Sequence, residues 1–405
     1  MSTALSQRPQ LRHLTAALDE LKQKGTYFKL RVLDDAQAPV CTYDGKKVIN
    51  LASNNYLGLC DHPKLREAAI EATKRYGVGS GAVRTIAGTM KIHMELEEKI
   101  ARFKNVEACV VFQSGFTANA GTVSSILGKE DFIISDELNH ASIIDGARLS
   151  RAKIKVFRHK DVAHAEELLK EVQNEPGRKL IITDGVFSMD GDIGPIDQLC
   201  DLAEKYGAIM MVDDAHASGV LGRNGRGSVD HFQCHGRVDV QVGTLSKAIG
   251  ALGGYVCGSR DLIDYLYHRA RPFLFSTSHP PSVTATCIAA FDLIENEPER
   301  IERLWDNTRY FKAELGRIGF DIGGKTTPAS ETPITPIIIG DGKKAMEFSR
   351  ALFDAGVMAT GIVFPTVPEG KARIRTIMTS EHTREQLDQA LDTLEKTAKK
   401  LGVLG

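Results

Sequence analysis

Short runs of consecutive apolar residues, bounded by glycine, aspartate or serine, recur along the first two thirds of the chain. They alternate with longer stretches whose apolar residues return every three or four positions. An uninterrupted apolar run suits a strand covered on both faces, and the three-to-four spacing suits an amphipathic helix, so the pattern predicts parallel strands joined by helices. The runs are ACVVF (108–112), DFIIS (131–135), KLIITDGV (179–186), AIMMVD (208–213), DVQVGT (239–244) and GGYVCG (253–258), and helical spacing falls between them in HMELEEKIARF, DVAHAEELLKEV and IDQLCDLAEKY. The expected class is α/β, a large and mostly parallel sheet with helices on both faces.

Past Pro280-Pro281 the pattern changes. A charged helical stretch, ENEPERIERLWDNTRYFKAELGRIG, leads to TPITPIIIG, KKAMEFSRALFDAG, ARIRTIMT and the amphipathic TREQLDQALDTLEKTAKKLG, which predict a smaller α+β domain. The expected division is an arm of helix and irregular chain (1–50), a large domain (51–290) and a small C-terminal domain (291–405). There is no internal repeat and no low-complexity tract.

With 405 residues the chain can bury a sizeable core. Its 51 Lys and Arg against 52 Asp and Glu give a formal charge of -1, which removes the electrostatic case for nucleic acid or an anionic membrane surface. The seven cysteines are odd in number and form no C-x-x-C pair, which favours a reducing compartment over a disulfide framework. The N-terminal MSTALSQRPQLRHL has no apolar signal core and no apolar run is long enough to cross a bilayer, so the expected location is the cytoplasm, with no membrane partner.

Candidate chemistry starts at GTLSKAIGALGGY (243–255), where Lys247 stands among hydroxyl residues and glycines. On this stretch alone Lys247 can be a structural lysine, a Schiff-base lysine approached by a bulky cofactor, or a phosphate-binding lysine. The phosphate-loop spacing G-x-x-x-x-G-K-[ST] is not met, because Ser246 precedes the lysine. What narrows the choice is position: ligands of an open α/β sheet gather outside the carboxyl ends of its strands. Four successive expected strands end in DELNHAS with His140, FSMDGD with Ser188, DDAHASG with Asp213 and His216, and Thr244 followed by Lys247.

A lysine, an acid, two histidines and a phosphate cradle together suit pyridoxal 5'-phosphate (PLP), whose aldehyde joins a lysine, whose ring nitrogen wants a carboxylate and whose phosphate needs donors. Lys247 then serves the Schiff base, Asp213 the ring nitrogen and His216 the phenolic oxygen, while His140 stacks on the ring. QSGFTANAG (113–121) opens a helix after a strand, offering N–H groups to the phosphate. Two other motifs are set aside. GVGSGAVR has Ala82 where a dinucleotide fingerprint needs its third glycine, and DHFQCH (His231, Cys234, His235) lacks the second cluster a metal site needs, so no metal is assigned.

SNNYLGL, NHASIIDG, DGVFSMDGD, VDDAH, GRNGRG, GTLSKA and ARIRT resemble, in that order, the α-oxoamine synthases, PLP-dependent acyltransferases of the aspartate-aminotransferase fold type (fold type I). The resemblance runs from about residue 50 to the C-terminus. It implies a homodimer with active sites at the subunit interface, and glycine or another small amino acid condensing with an acyl-CoA. It implies the same roles for Lys247, Asp213, His216 and His140, cofactor contacts from Gly115, Phe116, Ser188 and Thr244, and contacts to the partner subunit's phosphate from Thr277 and Ser278. Arg375 matches the residue that holds the substrate carboxylate, and Asn54 and Thr366 lie in substrate-side segments. Within the family, Val363 of IVFPTVPEG stands where biotin-pathway members carry the arginine of R-P-P-T-V-P, and VPEGKARIRT, RPFLFS and NHASIIDGARL look closer to glycine C-acetyltransferase (2-amino-3-ketobutyrate CoA ligase). The expected reaction is therefore glycine plus acetyl-CoA, as in threonine degradation. The alternative is 8-amino-7-oxononanoate synthase, or an enzyme serving both donors, with Lys29 or Arg31 as the cation for a long acidic acyl chain.

Overall fold

The structure is a computed structural model and describes residues 9–404. A helix, α1 (Arg12–Gln23), precedes a hairpin of β1 (Val40–Tyr43) and β2 (Lys46–Asn50). This hairpin was not expected in the arm. Its cause is local: Asp44-Gly45 is a two-residue turn with φ of 49° and 73°, a conformation that Asp-Gly favours and that matches strand twist. β2 pairs in parallel with the short β11 (Val357–Met358), tying this segment to the C-terminal part of the chain.

After α2 (Pro63–Tyr76) and α3 (Lys91–Lys104), a seven-stranded sheet is built from β3 (Ala108–Phe112), β4 (Phe132–Asp136), β5 (Lys153–Phe157), β6 (Lys179–Asp184), β7 (Ile209–Asp213), β8 (Val240–Thr244) and β9 (Gly254–Gly258). The order is β3-β9-β8-β7-β6-β4-β5; β9 alone runs antiparallel to its neighbours. β5 was missed in the sequence because KIKVF mixes lysines with apolar residues. It is the edge strand, and its lysines are the charges that discourage pairing with another chain. Alternate residues of the central strands feed two cores. Ile133, Leu180, Ile182 and Met211 meet α4 (Gly115–Ile126) and α5 (Ala141–Ser150), while Ile134, Ile181, Met210 and Val212 meet α6 (Val162–Val172) and α7 (Ile196–Tyr206). Burial on both faces is why these strands read as unbroken apolar runs.

The helix Pro281–Asn296 spans position 290, and Cys287, Ala290, Phe291 and Ile294 join a core shared with Leu304, Leu315, Leu387 and Leu394 of the C-terminal segment. That segment carries a second sheet in which β13 (Ala372–Ile377) lies antiparallel between β10 (Ile334–Gly340) and β12 (Thr360–Ile362). Among the described residues, no helix is long and apolar enough to cross a membrane.

Candidate active site

β4, β6, β7 and β8 are mutually parallel, and the register sets Asp184 opposite Asp213. Their carboxyl ends therefore form one edge, from which the loops carrying His140, Ser188, His216 and Lys247 leave. Asp213 is 4% exposed, and its carboxylate accepts from the Asn119 side-chain amide at 2.6 Å and from the Ala215 N–H at 2.8 Å. Asn119 also donates to the Ser142 hydroxyl at 2.9 Å, which lies 2.7 Å from Nδ1 of His140. The backbone N–H of His140 donates to Asp184 at 2.8 Å. Burial, then the charge of Asp213, pushes the Asp184 carboxyl well above the usual range.

Lys247 has its pKa pulled down to about 8, first by burial and then by Arg375, against the opposing pull of Asp213 and Asp184. His216 is driven well below its ordinary value by burial and by the charges of Lys247 and Arg375, so it is neutral. Its Nδ1 lies 2.8 Å from the Tyr56 hydroxyl, which leaves Nε2 for another partner. Burial and Lys247 also lower His140.

The two arginines of β13 are used differently. Arg373 is buried in an ion pair with Asp190 and donates to the Met189 carbonyl at 3.1 Å. Arg375 donates to the Asn54 side-chain oxygen at 3.2 Å and lies beside the buried Tyr56 hydroxyl, and its buried Nε has no partner among the described residues.

The remaining expected residues are dispersed. Gly115 opens α4 beside Thr244: a side chain at 115 would stand 3.4 Å from Thr244 Cβ. The Thr244 hydroxyl contacts Ser246 at 2.8 Å and the Gly253 carbonyl at 2.9 Å. Phe116 is 45% exposed, and Ser188 lies in the loop after β6. Thr277 is exposed, its carbonyl accepting from Gln113 at 2.8 Å; the Ser278 hydroxyl is buried against Gly88 O and Ser80 Oγ, each at 2.6 Å. Thr366 is exposed on a turn. Two of the glycines around Lys247, a stretch read from sequence as room for a cofactor, are also required by the chain's own packing. A Cβ at Gly254 would meet the Ser114 backbone at 2.4 Å, and one at Gly243 would enter the Tyr255 ring.

Tyr56, Asn119, Ser142 and Asp184 were not singled out from sequence. Each lies within a quoted motif, and Asn119 is one helical turn beyond Gly115, so the signal was its spacing along α4.

Over residues 46–394 the sequence matches the family Aminotransferase class I and II. The chain belongs to that family. It is 60% identical over 391 residues to the 8-amino-7-oxononanoate synthase of Symbiobacterium thermophilum, covering 96% of this chain and 98% of that one. It is 59% identical, at the same coverages, to 8-amino-7-oxononanoate synthase 1 of Bacillus subtilis. Among solved structures, a serine palmitoyltransferase from S. paucimobilis, carrying PLP and myriocin, matches with a TM-score of 0.92 at 31% identity, over 98% of this chain and 99% of that one. An 8-amino-7-oxononanoate synthase from Francisella tularensis matches with a TM-score of 0.72 at 29% identity, over 87% and 98%. This member of the aminotransferase class I and II family is thus a PLP-dependent acyltransferase of fold type I, an α-oxoamine synthase, and PLP is its cofactor.

The residues fit that cofactor. A buried carboxylate already held by two donors, a lysine shifted towards its neutral form, a neutral histidine with Nε2 available and a helix N-terminus share one edge of the sheet. The expected preference for acetyl-CoA and glycine is corrected by these relatives. That expectation rests on the likeness of VPEGKARIRT, RPFLFS and NHASIIDGARL and on Val363, and Val363 is 2% exposed and packs with Ala345, Met346 and Ala372. Val363 is thus a core residue of this chain. Of the two fallback cations, Arg31 is engaged with Asp44 at 3.3 Å and stacked on Phe353, and Lys29 is exposed.

Proposed function

We propose that this enzyme is an 8-amino-7-oxononanoate synthase acting in biotin synthesis; the observation that carries the reading is the near-full-length identity of 54 to 60% to proteins of that name. The product's carbon skeleton specifies the acyl group and the amino acid of that reading. Of its nine carbons, C1 to C7 with the terminal carboxylate are a pimeloyl group, and C8 and C9 with the amine are an amino acid that has lost its carboxylate. The methyl at C9 makes that amino acid alanine, since glycine would stop at C8. A bond forms between alanine Cα and the thioester carbonyl, the thiolate of coenzyme A leaves, and the bond from Cα to the carboxylate breaks to release CO2.

When bound, PLP supplies the sink for the electron pair left on Cα. Asp213, fixed by Asn119, would keep the ring nitrogen protonated, and His216 Nε2 would face the phenolic oxygen. The N–H groups of Gly115 and Phe116, with the hydroxyls of Ser188 and Thr244, would hold the phosphate, helped by Thr277 and Ser278 of the other subunit in a homodimer. Exposed apolar groups at Phe116, Ile86 and Phe275 support that assembly. Arg375 orients the alanine carboxylate, with Asn54 steadying the guanidinium. Lys247, whose pKa burial pulls down towards the neutral form, can move the proton at Cα. Thr366 would lie on the substrate side, and His140 would cover the ring.

The test is competition: alanine or glycine paired with pimeloyl-CoA or acetyl-CoA, compared by kcat/KM. The alanine and pimeloyl-CoA pair is expected to win by at least a hundredfold. A preference for acetyl-CoA would overturn the reading.

A further inference from the structure

His159, which the chemistry above does not use, sits between two buried carboxylates. Its Nδ1 is 3.0 Å from Asp136 Oδ1 and its Nε2 is 2.8 Å from Asp192 Oδ2; the ring is 11% exposed and both aspartate side chains are fully buried. An ionised carboxylate only accepts hydrogen bonds, so both ring nitrogens donate and the ring is an imidazolium. The ring also stands edge-on to Phe187, at 4.4 Å between centroids.

The two aspartates belong to the two loops of interest. Asp136 ends β4 and accepts from the N–H groups of Leu138 and Lys160, each at 2.9 Å, at the base of the turn that presents His140. Asp192 closes the loop carrying Ser188: its carbonyl accepts from the Phe187 N–H at 3.0 Å, and Val186 bridges to Ile193. That loop is held on its other side by Asp190 and Arg373.

We propose that His159 is a positioning residue, whose imidazolium clamps the Ser188 loop to the His140 turn and so sets the spacing of the cofactor site between them. This rests on the reading that those two loops line the cofactor. Other charges around the ring are Glu137, which accepts from the His159 N–H at 2.9 Å, Asp190 paired with Arg373, and Lys160, which reaches Asp192 at 3.3 Å and Glu331 at 3.2 Å. Arg158 beside it is paired with Asp161. The balance is negative, and the hydrogen bonds of Asp136 and Asp192 outweigh burial to raise the pKa of His159 to about 9. The clamp is therefore complete at pH 7 and released as pH rises through about 9.

The experiment compares holoenzyme with His159→Gln, which keeps the ring's volume roughly but not its charge, and Asp192→Asn, which keeps the shape and removes one carboxylate. Two quantities are read from pH 6 to 10: the rate of PLP loss on dilution, and kcat/KM. At pH 7, His159→Gln is expected to lose PLP at least tenfold faster and to fall tenfold or more in kcat/KM. Both ratios to wild type should approach one above pH 9, where wild type has lost its own imidazolium. Asp192→Asn removes one of the two groups that hold the proton, so its own PLP loss should begin to rise at a lower pH than that of wild type. Lys247 titrates in all three proteins and cancels in the ratios. A ratio independent of pH means a role in packing alone and overturns the proposal. If His159→Gln does not fold, the pH dependence of Asp192→Asn decides. Failure of wild type to take up PLP would instead overturn the reading beneath.

Discussion

Arg373 and Arg375 point from one strand two residues apart, yet replacing each by methionine should give opposite results. Methionine keeps most of the stem's apolar volume and removes the guanidinium. At position 375 it removes a buried Nε that has no partner among the described residues, a hydrogen bond of 3.2 Å to Asn54 and the contact with the Tyr56 hydroxyl. A buried unsatisfied donor costs about 1 to 3 kcal/mol, so its removal should leave stability unchanged or raise it by about 1 kcal/mol. What is lost is the hold on the alanine carboxylate. One or two charge-assisted hydrogen bonds are worth about 2 to 4 kcal/mol in all, which is roughly 30- to 700-fold in kcat/KM for alanine. At position 373 the same change strands the buried carboxylate of Asp190. That should cost about 3 to 5 kcal/mol of folding stability, because the remaining charge is uncompensated. Urea unfolding of both variants, with alanine kinetics on the folded fraction, separates the effects. An Arg375→Met enzyme that loses several kcal/mol of stability, or one whose kcat/KM for alanine falls less than threefold, would refute the assignment of the free guanidinium to the substrate.

Lys247→Ala should abolish turnover, and borohydride treatment of the variant should attach no PLP to the chain; reduction onto another lysine would contradict its role. Val363→Arg places a guanidinium among Ala345, Met346 and Ala372, so it should lower stability by about 3 to 5 kcal/mol and leave the ratio of pimeloyl-CoA to acetyl-CoA use unchanged in the folded enzyme; a shift towards pimeloyl-CoA would show that the position reads the acyl group. His159 has a folded pKa near 9 against about 6.5 unfolded, so its stabilisation of about 3 kcal/mol is complete below pH 6.5 and lost as pH rises through 9. Unfolding free energies of wild type and His159→Gln should therefore differ by about that amount at pH 6 and converge at pH 10, and a constant gap would contradict the linkage.

The strands that carry the site were legible because both their faces are buried. ACVVF, KLIITDGV and AIMMVD read as strands once turn residues bound them, and polar residues clustered after their ends mark the functional edge. KIKVF was illegible for the converse reason: an edge strand needs only one residue, Phe157, in the core, so its pattern is mostly lysine and exposed aliphatic. The Asp44-Gly45 hairpin carried a readable turn signal that was passed over. In the site, charged and ring-bearing residues at strand ends were visible, whereas Asn119 and Ser142 are ordinary helix residues until α4 and α5 are packed against each other. Acyl selectivity is not legible in VPEGKARIRT, RPFLFS and NHASIIDGARL, nor in Val363, whose motif does not say which way the side chain faces. Facing is set by packing, and IVFPTVP turns Val363 into the core while Phe364 and Thr366 stay exposed.

The most direct test of the account follows two labels through one turnover. Alanine carrying one carbon isotope label in its methyl group and another in its carboxylate is incubated with the holoenzyme and pimeloyl-CoA, and the product is examined by mass spectrometry. The account predicts a nine-carbon amino-oxo acid that retains the methyl label, with the carboxylate label recovered as CO2 in step with thiol release. A product that keeps the carboxylate label, or thiol release that occurs only with acetyl-CoA and glycine, would contradict it.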